Sequence, residues 1–502
     1  MRLKSADIWE TPLNQFGGML VLDPVQSTES DLRHVALVVD LDGTLIRSDL
    51  LIETLFAELG RRPAAILDLL PSLLADKAAF KHRLSQTASL DVARFPYDET
   101  VLAMIKAARA AGRLVYLASA SSEKLVADVA QHLGLFDGWF GSSETVNLKG
   151  AAKAELLVNT LGARQFDYLG NDAADLAVWE QARKSITIRA SAAVKRNLPA
   201  VSDDVEHLDA PQATPAAWIK LLRVHQWAKN ALVFVPLVMA HEFNLAALAN
   251  ALLAFLAFSL CASSVYILND LVDLQADRAH PTKRTRALAS GAIPPAAGLF
   301  AAPVLWLTSF TVTALTSLSF ALVLLTYFLL TTFYSFVLKR KMLIDVFTLA
   351  SLYTIRVIGG AIAVGVVLSH WLLAFSMFMF VALALIKRYV ELATLADRNL
   401  PNPANRNYQI NDLDIIAAIA AASGYNAVVV LALYINSDAV VPLYRHPDLL
   451  WFICPIVLYW FSRVLLRAHR GMMHDDPIVF AFKDRVSLLT AALVGALVLA
   501  AI

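Results

Sequence analysis

Two groups of carboxylates in this chain have the spacing that chemistry at phosphorus requires. The first lies in NDLVDLQADRAHPTKRTRALASG, residues 269–291, directly after the apolar run Leu245 to Leu268. If the helix of that run continues, Asn269, Asp273 and Asp277 recur at i, i+4 and i+8. Asp270 lies three residues before Asp273, so all four share one face at the mouth of a membrane. Like charges so placed repel by roughly 0.2–0.5 kcal/mol per pair in water, and a carboxylate pushed toward hydrocarbon costs roughly 2.5–3.5 kcal/mol. A cation is therefore expected among them. Mg2+ suits best, because it takes a few carboxylate oxygens and fills its remaining positions with water and phosphate oxygens. Lys283, Arg284 and Arg286 suit the same anion from the other side.

The second group closes the β-branched run His34 to Val39, which ends in Asp40-Leu41-Asp42-Gly43-Thr44. This pattern reads as a buried strand followed by a Gly-containing loop. One carboxylate can attack phosphorus there, and the other, two residues on, can serve as general acid and base.

Each group carries a resemblance. Residues 269–277 match every position of N-D-x-x-D-x-x-x-D, the first aspartate-rich motif of the UbiA-type intramembrane prenyltransferase superfamily. The Asp40 loop resembles motif one of the haloacid dehalogenase-like (HAD) phosphatases. That second resemblance implies that Asp40 forms an aspartyl-phosphate and Asp42 protonates the leaving oxygen. It implies further that Ser119, ending the strand Arg113 to Ala118, meets the phosphate, and that Lys149, followed by Gly150, neutralises phosphate and nucleophile. Lys153 is the alternative lysine. Mg2+ would sit on Asp40, Asp42 and an acid of a G-D-x-x-x-D motif. Here the chain departs from the family, because Gly170-Asn171-Asp172-Ala173-Ala174-Asp175 has Asn171 in the first acidic position, moves the acid to Asp172 and keeps Asp175.

The elements that must hold these groups divide the chain in two. Among 502 residues, 58% are hydrophobic, yet the long apolar runs begin only after about residue 230, so a soluble part precedes a membrane part. The net charge of +1 speaks against a nucleic-acid surface. Cys261 and Cys454 lie in apolar runs and read as core residues rather than a disulfide. No apolar core of a signal peptide is visible in MRLKSADIWETPLNQF, so the first domain is expected in the cytoplasm.

The soluble part reads as a multidomain chain's doubly wound parallel α/β domain, with catalytic residues at the carboxyl ends of its strands. Its expected extent is 31–205, after a loose tail at 1–30, with a substrate-selecting helical cap at about 45–112. A Pro- and acid-rich linker follows at 206–217, then an all-α membrane domain at 218–502. That domain opens on an interfacial segment, Trp218 to Asn230, in which the resemblance puts Lys229 near the phosphate site.

Nine spans are expected, at 231–243, 246–268, 296–315, 320–338, 343–366, 370–387, 415–435, 449–466 and 486–502. Cations gather in the loops after the even-numbered spans, which puts the aspartate loop and the soluble domain together on the cytoplasmic face of a bacterial inner or plasma membrane. The second half holds Tyr334, Lys339, Asp345 and Arg356, where aromatic prenyltransferases of the superfamily usually carry a further aspartate pair. Arg356 falls inside a span and is a functional candidate for that reason. Lys387, Arg388 and Tyr389 end the sixth span in the same plane, whereas Asp475-Asp476-Pro477 reads as a solvated face.

One aspartate motif with an excess of cations suits a donor richer in phosphate than a prenyl diphosphate. The branch that the pattern most resembles is decaprenyl-phosphate phosphoribosyltransferase. The resemblance implies transfer of a phosphoribosyl group from phosphoribosyl diphosphate to a polyprenyl phosphate, after which the fused phosphatase can remove the remaining 5-phosphate. The alternative is prenylation of a hydroxybenzoate or quinone precursor from a polyprenyl diphosphate, beside an unrelated phosphatase. A third reading is a membrane scaffold with a degenerate phosphatase fold. An oligomer is compatible with each.

Overall fold

The computed structural model describes residues 34–62, 80, 83–84, 86, 90–210, 213–403, 406–437, 443–473 and 476–502. The expected tail at 1–30, much of the expected cap and Asp475 lie outside the described residues.

Among the described residues, six strands form one parallel sheet: β1 (Ala36–Val39), β2 (Val115–Ser122), β3 (Gly138–Ser142), β4 (Phe166–Gly170), β5 (Lys184–Ile188) and β6 (Val205–Leu208). Their order is β3-β2-β1-β4-β5-β6. Leu37 and Val39 of β1 join one apolar layer, with Val101 and Ile105 of the helix Glu99–Ala110. Ala36 and Val38 join the other layer, with Leu157 and Trp179. The period of two thus puts apolar side chains on both faces, as a sheet covered twice requires. Since Glu99–Ala110 packs on the sheet, it is part of the α/β core although it falls in the range expected for the cap.

The chain winds outward from β1 to β3 and then outward again from β4 to β6. The crevice beyond the carboxyl ends of β1 and β4 is the switch point at which open α/β sheets hold ligands. Asp40 and Asn171 directly follow these two strands.

Among the described residues, seven helices are long and apolar enough to cross a membrane, and Pro477–Lys483 with Arg485–Ala501, bent by 80°, makes up to eight. The expected first span at 231–243 differs: residues 224–234 form 3-10 turns, followed by the five-residue helix Val235–Met239. This segment buries Lys229 and Asn230, polar groups that a lipid-facing span would not carry. The central helix Leu245–Val272 buries Ala254, Ala257, Cys261 and Ser264, small residues that admit close neighbours. Hydrogen bonds from Ser264 Oγ to the Ala302 carbonyl (2.8 Å) and from Ser309 Oγ to the Ala257 carbonyl (2.7 Å) tie it to Pro295–Thr313. Both cysteines are free.

Helix α1 (Leu50–Arg61) joins the two halves. Ile52, Phe56 and Leu59 pack with Ile267, Leu271, Leu274 and Leu288 of the membrane domain, so the soluble domain sits on the segment that carries the aspartate motif.

Candidate active sites

At the sheet, Asp40 is buried and its Oδ1 accepts a hydrogen bond from Lys153 Nζ at 2.8 Å, while Oδ2 accepts one from Thr44 Oγ1 at 3.2 Å. Burial pushes the Asp40 carboxyl up to about 7, against the pull of Lys153. Asp42 is held by three donors: the Leu50 N–H at 2.7 Å on Oδ1, and Ser119 Oγ at 2.9 Å and Ser121 Oγ at 2.6 Å on Oδ2. The first turn of α1 therefore fixes the second carboxylate of the loop.

The lysine on Asp40 is Lys153, which corrects the preference for Lys149. Gly150, at φ +59, turns the chain into the helix Ala151–Leu161, and the first turn of that helix carries Lys153 inward; Lys149 stays exposed at the cavity rim. Lys153 also donates to Tyr168 Oη at 2.9 Å, and Tyr168 donates to Asp175 Oδ1 at 2.8 Å. Asp175 Oδ2 accepts the backbone N–H groups of Asn171 and Asp172, each at 3.0 Å. Asp175 thus braces the loop after β4.

Asp172 is exposed and accepts from the Ala173 N–H at 2.6 Å, capping a short turn, and it lines the same cavity as Asp40. Displacement by one residue has made it a cap. Asn171 takes the place nearer the site: its amide nitrogen lies 2.3 Å from where a Cβ on Gly43 would stand, and Gly43 has φ +73. Only glycine leaves that space.

In the membrane domain, the four motif residues are bonded as two pairs. The helix breaks at Asp273, whose ψ is 9°, but the backbone bonds from Asp273 N to the Asn269 carbonyl (2.9 Å) and from Asp277 N to the Asp273 carbonyl (2.8 Å) carry the chain across the break. Asn269 Nδ2 donates to Asp273 Oδ2 at 3.1 Å, and Lys339 Nζ reaches the same oxygen at 3.4 Å. Asp270 and Asp277 share one nitrogen, Arg286 Nη1, at 3.0 and 2.6 Å. Arg223 also binds Asp270. Lys283 and Arg284 remain exposed on the loop.

The other cations divide among three places. Lys229 and Lys387 both bind Asp476 Oδ2, at 2.9 and 2.7 Å, and Asp476 caps the helix Pro477–Lys483. Asp476 is therefore not part of a solvated face; its Asp-Pro sequence was the available sign of a helix start. Arg388 is buried against Asp345 (2.6 Å), with Glu391 and Tyr334 beside it, while Tyr408 donates to the other Asp345 oxygen. Tyr389, next in sequence, points elsewhere and pairs with His469. Arg356 is bound by Asn230 (2.7 Å), Tyr327 (2.9 Å) and the Leu352 carbonyl, as a lock between helices and apart from the motif carboxylates.

Among the described residues, no group of three or more His, Cys, Asp or Glu side chains converges as a finished metal cage. The donor chemistry still fits Mg2+, because hard carboxylate oxygens already converge on one positive nitrogen in the membrane site. Asp40 and Asp42 with the Asn171 amide line a common cavity at the other.

Comparison with known proteins agrees with both halves. A UbiA prenyltransferase family model matches residues 231–483, and a haloacid dehalogenase-like hydrolase model matches residues 37–178. The chain is 38% identical over 469 residues to the uncharacterized protein y4nM of Sinorhizobium fredii, covering 92% of this chain and 90% of that one. It is 35% identical over 204 residues to decaprenyl-phosphate phosphoribosyltransferase of Mycobacterium tuberculosis, covering 39% and 67%. A solved UbiA homolog from Archaeoglobus fulgidus bound to GPP and Mg2+ covers 56% of this chain and 99% of its own, at 15% identity and a TM-score of 0.46.

Proposed function

Since this chain belongs to the UbiA prenyltransferase family and carries a haloacid dehalogenase-like domain before its membrane helices, we propose that it joins a phosphoribosyl group to a polyprenyl phosphate and then dephosphorylates the product. The observation that carries this reading is the cation set around the motif: Arg223 and Arg286 on Asp270, Arg286 on Asp277, and Lys339 on Asp273. A donor with a diphosphate and a further phosphate would give each of these cations an anionic oxygen to bind. Partial similarity to decaprenyl-phosphate phosphoribosyltransferase supports the same choice.

In the transfer, an oxygen of the lipid phosphate attacks C1 of the ribose as the bond from C1 to the pyrophosphate breaks. Arg286, Arg223 and Lys339 exchange their carboxylate contacts for the charge growing on pyrophosphate. Asn269, Asp270, Asp273 and Asp277 would hold Mg2+ in this site, and Asp40, Asp42 and Asn171 in the hydrolase, where it supplies charge neutralisation at phosphate oxygens.

In the hydrolase, an Asp40 oxygen attacks the 5-phosphate, the bond from phosphorus to the sugar oxygen breaks, and Asp42 gives that oxygen its proton. Asp42 then takes a proton from the water that attacks the aspartyl-phosphate, releasing inorganic phosphate. Lys153 balances the charge on Asp40 throughout. Both sites face the cytoplasm in this reading, as the cation-rich loops require.

Donor competition tests the proposal. Full-length protein with polyprenyl phosphate should consume phosphoribosyl diphosphate in preference to a polyprenyl diphosphate. Consumption of the prenyl donor alone, with an aromatic acceptor, would replace this reading with aromatic prenylation.

A further inference from the structure

The cavity over Asp40 has a volume of 1110 Å³, and part of its wall belongs to the other domain: Gly291, Ala292, Pro294 and Ala296 line it together with Asp40 and Arg47. These four residues lie where the loop after the aspartate motif enters the helix Pro295–Thr313. The seam is close. Gly291, at φ +70, leaves room for Arg47 and Pro96, since a Cβ there would come within 2.6 Å of Arg47 Cβ and 3.0 Å of Pro96 Cβ. A buried ion pair, Arg278 to Glu53 at 2.5 Å, fixes the two sides nearby.

The volume exceeds what a phosphate monoester alone fills, and lies just above the roughly 300–1000 Å³ of small-molecule sites. The membrane-side wall offers exposed, small, apolar side chains at Ala292, Pro294 and Ala296, as an isoprenoid chain would need and a free sugar phosphate would not. Arg47 lines the same cavity next to Gly291, is a quarter exposed and is tethered by Nε to Asp98 at 2.9 Å.

Resting on the reading above, we infer that the hydrolase site is a composite pocket completed by the membrane domain. It takes a phosphomonoester whose other end is tied to a lipid through a phosphodiester, with Arg47 binding the diester and Ala292 to Ala296 receiving the start of the lipid chain. A soluble phosphomonoester would use only the Asp40 end.

The test uses the full chain in lipid nanodiscs with two substrates, a polyprenyl-phosphoryl ribose 5-phosphate and p-nitrophenyl phosphate, and with pyrophosphate release followed as a control of folding. Arg47→Gln, by loss of one charge-assisted contact, and, separately, Ala292→Trp, by filling the space for the start of the lipid chain, should each raise KM for the lipid-linked substrate by roughly tenfold or more. Hydrolysis of p-nitrophenyl phosphate and release of pyrophosphate should stay within about twofold of the parent. Equal losses on both substrates, or no change on the lipid-linked one, would overturn the composite pocket. Asp40→Asn separates the two claims: retention of hydrolysis in that variant counts against the hydrolase reading itself, whatever the seam variants do.

Discussion

Arg278, the residue after Asp277 of the aspartate motif, donates to Glu53 of α1 at 2.5 Å, and both side chains are buried. Ser48 Oγ donates to the same carboxylate, and Gln275 Nε2 donates to its other oxygen at 2.7 Å. One carboxylate of the soluble domain is thus held from both sides of the domain seam. Removing one partner of such a pair costs about 3–5 kcal/mol, because the other charge is left buried. Glu53→Ala should accordingly lower the melting temperature of the purified protein, and Glu53→Leu combined with Arg278→Met should recover most of the loss. A double variant as unstable as the sum of the singles would mean that the two residues act independently.

Lys153 and Lys149 give a second test, because only Lys153 touches Asp40. Lys153→Met should reduce phosphomonoester hydrolysis by about 10²–10³, the size of effect seen when a single donor to developing charge is removed. Lys149→Met should cost far less. Initial rates on p-nitrophenyl phosphate decide between them, and the reverse ranking would contradict the geometry at the end of β1.

Acid should loosen the hydrolase domain through Asp98. This carboxylate is buried; burial raises its pKa, but Arg189 and Arg47 together outweigh that and hold it below the ordinary carboxylate range. A folded-state value below the unfolded one means that its stabilisation is complete above the unfolded pKa of about 3.9 and is lost as pH falls through the folded value. Melting curves from pH 6 down to pH 3 should show this acid limb, and Asp98→Asn should flatten it while lowering stability at pH 6.

Asp270 and Asp277 meet on Arg286, so either change alone disturbs the same cation. Asp277→Asn is expected to reduce pyrophosphate release by at least about 10²-fold and to leave p-nitrophenyl phosphate hydrolysis intact. Loss of both activities would place Asp277 in the fold rather than in the transfer.

Much of this was legible in the chain itself. A β-branched run ending in two acids places Asp40 and Asp42 at a strand end, and a second strand brings Ser119 to Asp42. The aspartate motif is equally visible as a pattern, but the partners of its side chains are not: Asn269 pairs with Asp273, while Asp270 and Asp277 meet on Arg286. Distance along the chain hid the rest. Asp476 is 247 residues from Lys229, and Glu53 is 225 from Arg278. No local periodicity reports such pairs. Glycine after a lysine is a sequence cue that favours Lys149, whereas Lys153 reaches Asp40 because the direction of the side chain depends on the turn that Gly150 makes.

The most direct test of tandem action is a time course of the full chain with phosphoribosyl diphosphate, polyprenyl phosphate and Mg2+, following pyrophosphate, inorganic phosphate and the lipid product together. Pyrophosphate should appear first and inorganic phosphate second, and Asp40→Asn should stop the second release while a lipid-linked ribose 5-phosphate accumulates. Inorganic phosphate appearing at the parent rate in Asp40→Asn, or no pyrophosphate from this donor at all, would contradict the account.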